Sequence, residues 1–217
     1  TAAKFNADVI SGQTALASEP ADTDEFLVSD AGVLKRIDYS LIKGGGTHVL
    51  LSTTNVTSGV SEVDITSNID STYKNYMVTF TNIHPANDAD FRMRIFSSAG
   101  SPYTANVYVW GSKGRISSGN DRNSANTGTS YFSMAGEDNI GNANIESLSG
   151  YMILHNPSET TFGKLAQTDI VCLNSGQNML RSMDGLFIDN TAAITGLRFY
   201  FGSSNIDSGI FKLYGIN

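Results

Sequence analysis

Short runs of alternating apolar and polar residues fill the chain from residue 49 to its end, and this pattern constrains the fold most. A period of two is typical of strands that turn one side to a core and the other to solvent. About ten such runs, separated by turn-forming Gly, Asn, Asp and Ser, predict an all-β fold. We therefore expect an antiparallel two-sheet β-sandwich that is jelly-roll-like. One of the clearest runs reads Phe91, Arg92, Met93, Arg94 and Ile95.

The composition of the 217-residue chain agrees with that expectation. Charged residues make up 16% and 21 residues are Gly, which suits short strands joined by many turns better than a helical bundle. Cys172 is the sole cysteine, so no disulfide can form within the chain, and stability must come from core burial or oligomerisation. The apolar neighbours of Cys172 predict a buried thiol.

The opening segment shows a hairpin pattern. Apolar runs at 26–28 and 33–37 flank Ser29–Gly32, which predicts a β-hairpin in which the glycine takes a positive φ. Asp38 is expected to cap a short helical turn over 39–42. A segment this short cannot bury a core of its own, so it needs a partner surface.

Gly44–Gly46 are interpreted as a hinge between this segment and the remainder of the chain. The sequence therefore predicts two parts. Residues 1–46 serve attachment or trimerisation, and residues 47–217 form the β-sandwich body. The side chains expected to carry the attachment are Phe26, Val28, Leu34, Ile37 and Tyr39.

The charge balance and the first residues limit the partners and the location. Fourteen basic and 21 acidic residues give a net charge of −7, and we expect no nucleic-acid binding because phosphate contacts need a basic face. No apolar run approaches the length of a membrane span, so no membrane insertion is expected. The first residues lack the basic and apolar regions of a secretory signal, which predicts a product made in the cytoplasm.

No sequence motif points to catalysis or to a cofactor. The chain has no nucleophile elbow, phosphate loop or dinucleotide fingerprint, and its histidines, His48, His84 and His155, are far apart. Acidic clusters at 87–90 and 137–139 could hold Ca²⁺, although plain turns are the favoured interpretation. We expect no enzyme activity, no metal and no cofactor. The alternative is a glycan-cleaving carboxylate pair, drawn from Asp88, Asp90, Glu137 and Glu146.

A long polar stretch, Gly111–Gly128, lies between two strand-like runs and is expected to be a loop. Loops of this length in a compact domain are usually functional or mobile, and both interpretations stay open. The aromatic residues that border it fit either the sandwich core or stacking against a sugar. The candidate host or glycan contact consists of Trp110, Arg115, Asp121, Arg122, Asn123 and Tyr131.

Two stretches of the opening segment, Ser11–Leu16 and Phe26–Tyr39, resemble the attachment segments of tail-fibre-like and other virion appendage proteins of tailed bacteriophages, especially marine ones. The body is similar to the β-sandwich often found at the C-termini of such proteins. This likeness lies in short stretches such as Tyr76–Ile83, Phe91–Ile95 and Ser208–Ile216.

The resemblance implies a non-enzymatic virion structural protein, a homotrimer that attaches to other virion proteins through its N-terminal segment. Made in the host cytoplasm, it would reside in the virion as a short tail fibre or appendage, because no long shaft separates the two parts. The body would contact a host-surface glycan or receptor, or a neighbouring virion protein. The alternatives are a capsid decoration or head-fibre protein, and a glycan-binding or glycan-degrading protein.

Overall fold

The computed structural model describes residues 14–43, 46–97 and 100–217. The chain divides into two compact units, residues 1–45 and 46–217. Nearly all of the regular structure is β-strand, which confirms the predicted all-β fold. The first unit contains β1 (Glu25–Asp30), β2 (Val33–Asp38) and helix α1 (Tyr39–Ile42). The second contains β3 (His48–Val56), β4 (Glu62–Ile65), β5 (Asn75–Pro85), β6 (Ala89–Phe96), β7 (Tyr108–Ile116), β8 (Asp121–Thr129), β9 (Phe132–Ile140), β10 (Leu148–His155), β11 (Lys164–Leu173), β12 (Met179–Ile188), β13 (Gly196–Phe201) and β14 (Ile206–Ile216).

Strands β1 and β2 form the predicted hairpin. Asp30 pairs with Val33, and the two residues between them, Ala31 and Gly32, have φ angles of 50° and 84°. Positive φ at both central positions gives a tight turn whose twist matches that of the strands, and Gly32 adopts it without a steric cost. The predicted helical turn follows, but the predicted cap is wrong, because Asp38 makes no side-chain capping hydrogen bond.

Further contacts close the open end of the hairpin. The Tyr39 amide donates a hydrogen bond to the Asp24 carbonyl at 2.7 Å, and the ring centroids of Phe26 and Tyr39 lie 6.0 Å apart. Gly44 and Gly45, two residues of the proposed hinge, lie outside the described residues.

Two antiparallel sheets form the body. The larger has eight strands in the order β3-β14-β5-β10-β11-β12-β7-β8, and the smaller has four in the order β4-β13-β6-β9. Each strand of the smaller sheet lies, in sequence, between two strands of the larger one. The chain therefore passes repeatedly from sheet to sheet, and the two layers share one core.

An aromatic cluster fills the space between the sheets. Phe80 and Phe211 from the larger sheet meet Phe91 and Phe199 from the smaller one, with ring centroids 5.1–6.4 Å apart. All four side chains are buried. Tilted and edge-to-face pairs of this kind add about 0.5–1.5 kcal/mol each to the stabilisation from apolar burial. The inward positions of the alternating strands thus supply the core that the sequence pattern requires.

The predicted loop at 111–128 is instead a β-hairpin made of β7 and β8, with its turn at residues 117–120. Its polar composition has a physical reason. Strand β8 is an edge of the larger sheet and contains no buried residue, so it needs no apolar alternation. In β7 the buried positions include Ser112 and Gly114. Because neither is a large apolar residue, the alternation of apolar and polar residues is not visible there.

Candidate functional site

The structure separates the residues predicted for the contact site into two groups. Trp110 and Tyr131 lie toward the open end of the β7–β8 hairpin, where Tyr108 pairs with Thr129. A nine-residue strand such as β8 is roughly 30 Å long, so one small ligand cannot touch both ends. The residues that stay together, at exposed positions near the turn, are Arg115, Asp121, Arg122 and Asn123.

The charged residues near the turn are paired. Arg115 and Asp121 form an exposed ion pair at 3.6 Å, a kind of contact that contributes little stability. Arg122 bonds the buried carboxylate of Asp138 at 2.7 Å, and this hydrogen bond raises the pKa of Arg122. Asn174 donates to the same carboxylate. Arg122 therefore connects β8 to β9, and its charge is neutralised within the protein.

Trp110 is a core residue, which corrects its predicted role as a stacking platform for a sugar. Its side chain is 3% exposed, and its ring centroid lies 6.4 Å from that of Phe132 on the opposite sheet. Buried and less buried residues alternate along β7, and Trp110 occupies one of the inward positions. The core interpretation of this aromatic residue is the one that the structure supports.

Tyr131 belongs to a cluster on the outer face of the four-stranded sheet. Arg92 and Arg94 alternate with core residues on β6, as Arg198 and Tyr200 do on β13. The register places Arg198 opposite Arg94, and Tyr200 opposite Arg92. We call these five side chains the Arg–Tyr face.

Two guanidinium groups of the Arg–Tyr face lie over tyrosine rings. The Cζ atom of Arg92 is 4.0 Å from the ring centroid of Tyr131, and that of Arg94 is 5.0 Å from the centroid of Tyr200. Such contacts stabilise by about 0.5–2 kcal/mol. Gly202 makes room for the first of them, because a Cβ there would lie 2.5 Å from the Cζ of Arg92. The guanidinium groups are therefore held in defined positions.

Carboxylates neutralise two of the three guanidinium groups. Arg92 donates to Asp90 at 2.6 Å. Arg198 makes a bidentate contact with Asp64, at 2.7 and 2.6 Å, and lies 3.4 Å from Glu62. Bidentate pairs between arginine and carboxylate are strong and fix the geometry of both groups. These three carboxylates leave Arg94 as the remaining cation of the face.

Arg94 and Tyr200 retain unused hydrogen-bonding capacity. The Nε of Arg94 donates to the Ser130 carbonyl at 2.9 Å, and within the described residues no carboxylate lies within 4.0 Å of its guanidinium. The Tyr200 hydroxyl is buried, and in the same part of the chain no hydrogen bond of ordinary geometry reaches it, although Arg92 is close enough to lower its pKa. Burial raises the pKa of Tyr200, against the lowering effect of the Arg94 and Arg92 charges, so this side chain is a neutral phenol.

Sequence reasoning identified Tyr131 but not the surface around it. The alternation of Arg92 and Arg94 with apolar residues is visible in the sequence, as is that of Arg198 and Tyr200. The sequence does not show that β6 and β13 are neighbours, because more than a third of the chain separates them. The register alone brings these side chains together.

The outer face of the eight-stranded sheet carries a groove of about 650 Å³. Gly185 of β12 and Gly111 of β7 are directly paired in it, and a Cβ at either position would meet no atom within 4 Å. Phe187 and Leu165, which are 38% and 57% exposed, line the groove. Among the described residues, its lining includes no carboxylate, ammonium or guanidinium group.

A buried polar network lies between the sheets beside β9. The Asp184 carboxylate accepts hydrogen bonds from the hydroxyls of Thr168 and Ser182, both at 2.6 Å, and from the Ala135 amide at 3.1 Å. Residues 135–137 all have φ near 62–65° and form a left-handed turn. Such backbone costs about 1–3 kcal/mol per non-glycine residue. The network thus holds a strained segment of β9 in place.

The acidic residues considered for glycan cleavage take part in local structure. Asp88 and Glu146 accept hydrogen bonds from nearby backbone amides at 2.9 and 2.8 Å, Asp90 pairs within the Arg–Tyr face, and Glu137 is exposed. Throughout residues 14–43, 46–97 and 100–217, no three His, Cys, Asp or Glu side chains are grouped to hold a metal ion. No helix in these ranges is long and apolar enough to cross a membrane.

Cys172 has the buried thiol that the sequence predicts. Its side chain lies in the core on β11. Burial, with smaller contributions from Asp138 and Asp184, raises the pKa of Cys172 to about 12. Because the thiolate is the reactive form, this cysteine is inert in the folded protein.

No protein-family model matches the chain, and no curated protein and no solved structure shows a significant similarity to it.

Proposed function

We propose that the chain is a non-enzymatic structural protein of a bacteriophage virion, a short trimeric appendage of the tail. Its N-terminal hairpin attaches it to other virion proteins, and its β-sandwich is presented to the host surface. The likeness of short stretches in both parts to phage appendage proteins supports this proposal. The observation that carries it is the exposure of large apolar side chains on the hairpin.

These apolar side chains occupy both faces of the hairpin. Phe26 lies opposite Ile37, and Val28 shares their face, whereas Leu34 lies on the other face with Leu27. Leu27 and Leu34 are 63% and 60% exposed. An isolated two-stranded sheet is marginally stable at best. Burial against a partner would contribute roughly 1.5–3 kcal/mol for each fully covered side chain, so the hairpin suits attachment.

The charges of the hairpin are compatible with burial. Lys35 pairs with Asp30 at 2.5 Å, and Arg36 pairs with Glu25 at 3.0 Å. Both pairs join residues of the same hairpin, so a partner surface can cover the apolar side chains without isolating these charges.

The body suits presentation. Its two sheets share one core, so each outer face is a rigid surface on which side chains are held in fixed positions. Three copies on one particle would add avidity, on the order of a hundredfold or more when all sites engage together.

Labelling of particles tests the proposal. Gold-conjugated antibodies against the body, applied to phage particles from cells that produce the protein, should mark the tail. Labelled heads would favour the capsid decoration function. Particles that lack the protein altogether would overturn a virion function.

A pair of variants tests the attachment. The double variant Phe26→Ser/Ile37→Ser should fold but fail to enter particles. The matched double variant Leu165→Ser/Phe187→Ser, which removes two exposed apolar side chains from the body, should enter normally. Equal incorporation of both variants would contradict attachment through the hairpin.

The oligomeric state is tested on the purified full-length chain. Light scattering should give three times the 23.2 kDa chain mass. A monomer at micromolar and higher concentrations would contradict the trimer.

A further inference from the structure

We infer that the Arg–Tyr face binds a saccharide that carries a carboxylate, and that Arg94 is the residue that binds the carboxylate. This inference deepens the presentation role proposed above by naming the class of ligand and its place on the body. Its test needs only the purified chain, so it can fail or succeed separately from the virion function.

Arg94 is a preorganised cation with a free donor edge. Its Nε is fixed by the Ser130 carbonyl at 2.9 Å, and its Cζ lies 5.0 Å from the Tyr200 ring centroid. Within the described residues its terminal nitrogens make no hydrogen bond. A planar guanidinium that is already held in place loses little side-chain entropy when it binds a carboxylate.

The other arginines of the face are not equivalent to Arg94. Arg92 is committed to Asp90, and Arg198 is committed to Asp64 and Glu62. A ligand carboxylate at either position would have to displace an existing partner. At Arg94 it would complete an ion pair that the protein itself leaves unmade.

The neighbouring tyrosines favour a sugar as the remainder of the ligand. Tyr131 and Tyr200 are both half-buried, so each presents part of an aromatic side chain beside the cation. Aromatic rings offer an apolar surface to the C–H groups of a sugar. The phenol group of Tyr131 can bond a sugar hydroxyl, whereas that of Tyr200 is buried and can offer the ligand only the exposed part of its ring. An unpaired cation on a surface that also carries partly exposed aromatic side chains therefore matches an acidic sugar, such as a uronic acid.

The charges of the face select a monoanion. Three guanidinium groups are accompanied by three carboxylates, those of Asp90, Asp64 and Glu62. A phosphate dianion or a nucleic-acid backbone needs several unpaired cations. Arg94 supplies a single unpaired charge, and the nearby carboxylates would repel a second negative charge on the ligand.

Affinity electrophoresis of the full-length chain tests the inference. The probe is polygalacturonate, a polymer of uronic acid, and dextran is its neutral counterpart. We expect polygalacturonate to retard the wild-type chain and dextran to leave its mobility unchanged. Because the chain carries a net charge of −7, it is repelled by a polyanion, so non-specific electrostatics would oppose retardation and cannot produce it.

Two variants identify the residue responsible. Arg94→Gln should weaken the apparent affinity for polygalacturonate at least tenfold. The control Lys113→Gln/Arg115→Gln removes two positive charges from the other sheet and should bind like the wild type. Thermal unfolding curves check that each variant is folded, and Arg94→Lys serves in place of Arg94→Gln if the latter does not fold. Lysine keeps the positive charge but cannot make the bidentate hydrogen bonds of a guanidinium, so Arg94→Lys should bind more weakly than the wild type.

Several results would overturn the inference. They are no retardation of the wild-type chain by polygalacturonate, equal retardation by dextran, and unchanged retardation of Arg94→Gln and Arg94→Lys. A loss in the Lys113→Gln/Arg115→Gln control equal to that in Arg94→Gln would also overturn it, because binding would then follow net charge.

Discussion

The outer faces of the two sheets differ in what their outward positions carry. The four-stranded sheet displays arginines, tyrosines and carboxylates that are connected by ion pairs and cation–π contacts. The eight-stranded sheet displays exposed apolar side chains, among them Phe187 and Leu165, around a pair of glycines. Both sheets have the same alternation and share the same core. The alternation therefore fixes which positions face outward, while the chemistry of those positions is free to vary.

We expect the largest loss of stability from a substitution in the core that both faces share. Phe199→Ala removes a ring that lies 5.1 Å from Phe80 between the sheets, and we expect a loss of about 3–5 kcal/mol in the free energy of unfolding. Tyr200→Phe, the neighbouring outward position, should change it by less than about 0.5 kcal/mol. Urea unfolding of both variants gives the comparison. Similar losses would mean that the outer face is itself part of the core.

Replacing a glycine by alanine should change the stability in opposite directions on the two faces. Gly202→Ala on the four-stranded side places a Cβ 2.5 Å from Arg92 Cζ and from Asp90 Oδ1. We expect a loss of about 1–3 kcal/mol because the ion pair must shift. Thermal unfolding should show a lower midpoint. An unchanged midpoint would show that the Arg–Tyr face is pliable, which would weaken the case for a preorganised Arg94.

Gly185→Ala on the eight-stranded side is the matched change. Its Cβ would meet no atom within 4 Å, and Ala in a strand interior is favoured over Gly by roughly 0.5–1 kcal/mol. We expect a small rise in the thermal midpoint. A fall would reveal a steric constraint in the groove that the structure does not contain.

The smallest effect concerns an ion pair on the outer face of the eight-stranded sheet. A bidentate hydrogen bond from Arg181 lowers the pKa of Asp169. A lowered folded-state pKa stabilises the protein above the unfolded value, near 3.9, and the gain is lost as the pH falls through the folded value. Arg181→Gln should therefore lower the stability slightly at pH 7 and not at all in strong acid, because an exposed ion pair contributes little.

Unfolding curves at several pH values measure this difference, and carboxyl NMR titration should show the Asp169 pKa rising in the variant. Arg94→Gln is the control, because Arg94 has no carboxylate partner in the described part of the chain. A pH-dependent loss of stability in Arg94→Gln would indicate that Arg94 has a carboxylate partner. The contrast between a paired Arg181 and an unpaired Arg94 would then disappear.

The sequence predicts the strands well because core burial imposes the alternation. It also predicts the β1–β2 hairpin, where Gly32 in a two-residue turn is a strong local signal. The β7–β8 hairpin could not be predicted in this way, because the edge strand β8 contains no buried residue and therefore lacks apolar alternation. Trp110 shows the same limit. Whether its side chain points to the core or to solvent depends on its place in the alternation of β7, and that alternation is not visible in the polar stretch beside it.

The Arg–Tyr face could be predicted only in pieces. Arg92 and Arg94 are visibly outward on β6, but their contact with Tyr200 depends on which strands are neighbours. Strands β6 and β13 become neighbours through connections that cross between the sheets, and no local sequence pattern predicts this. Pairing over such separations is set by the packing of the whole domain.

The position of β14 has a consequence for synthesis of the protein. This strand, Ile206–Ile216, lies between β3 and β5 and pairs with both. While the ribosome still covers residues 206–216, the facing edges of β3 and β5 have no strand between them, and the large sheet is split. The body therefore completes its folding after residue 216 has emerged, and a nascent chain that stops earlier exposes two open strand edges. Such edges invite aggregation, so the pairing of β14 with both neighbours is the step that protects the larger sheet of the body.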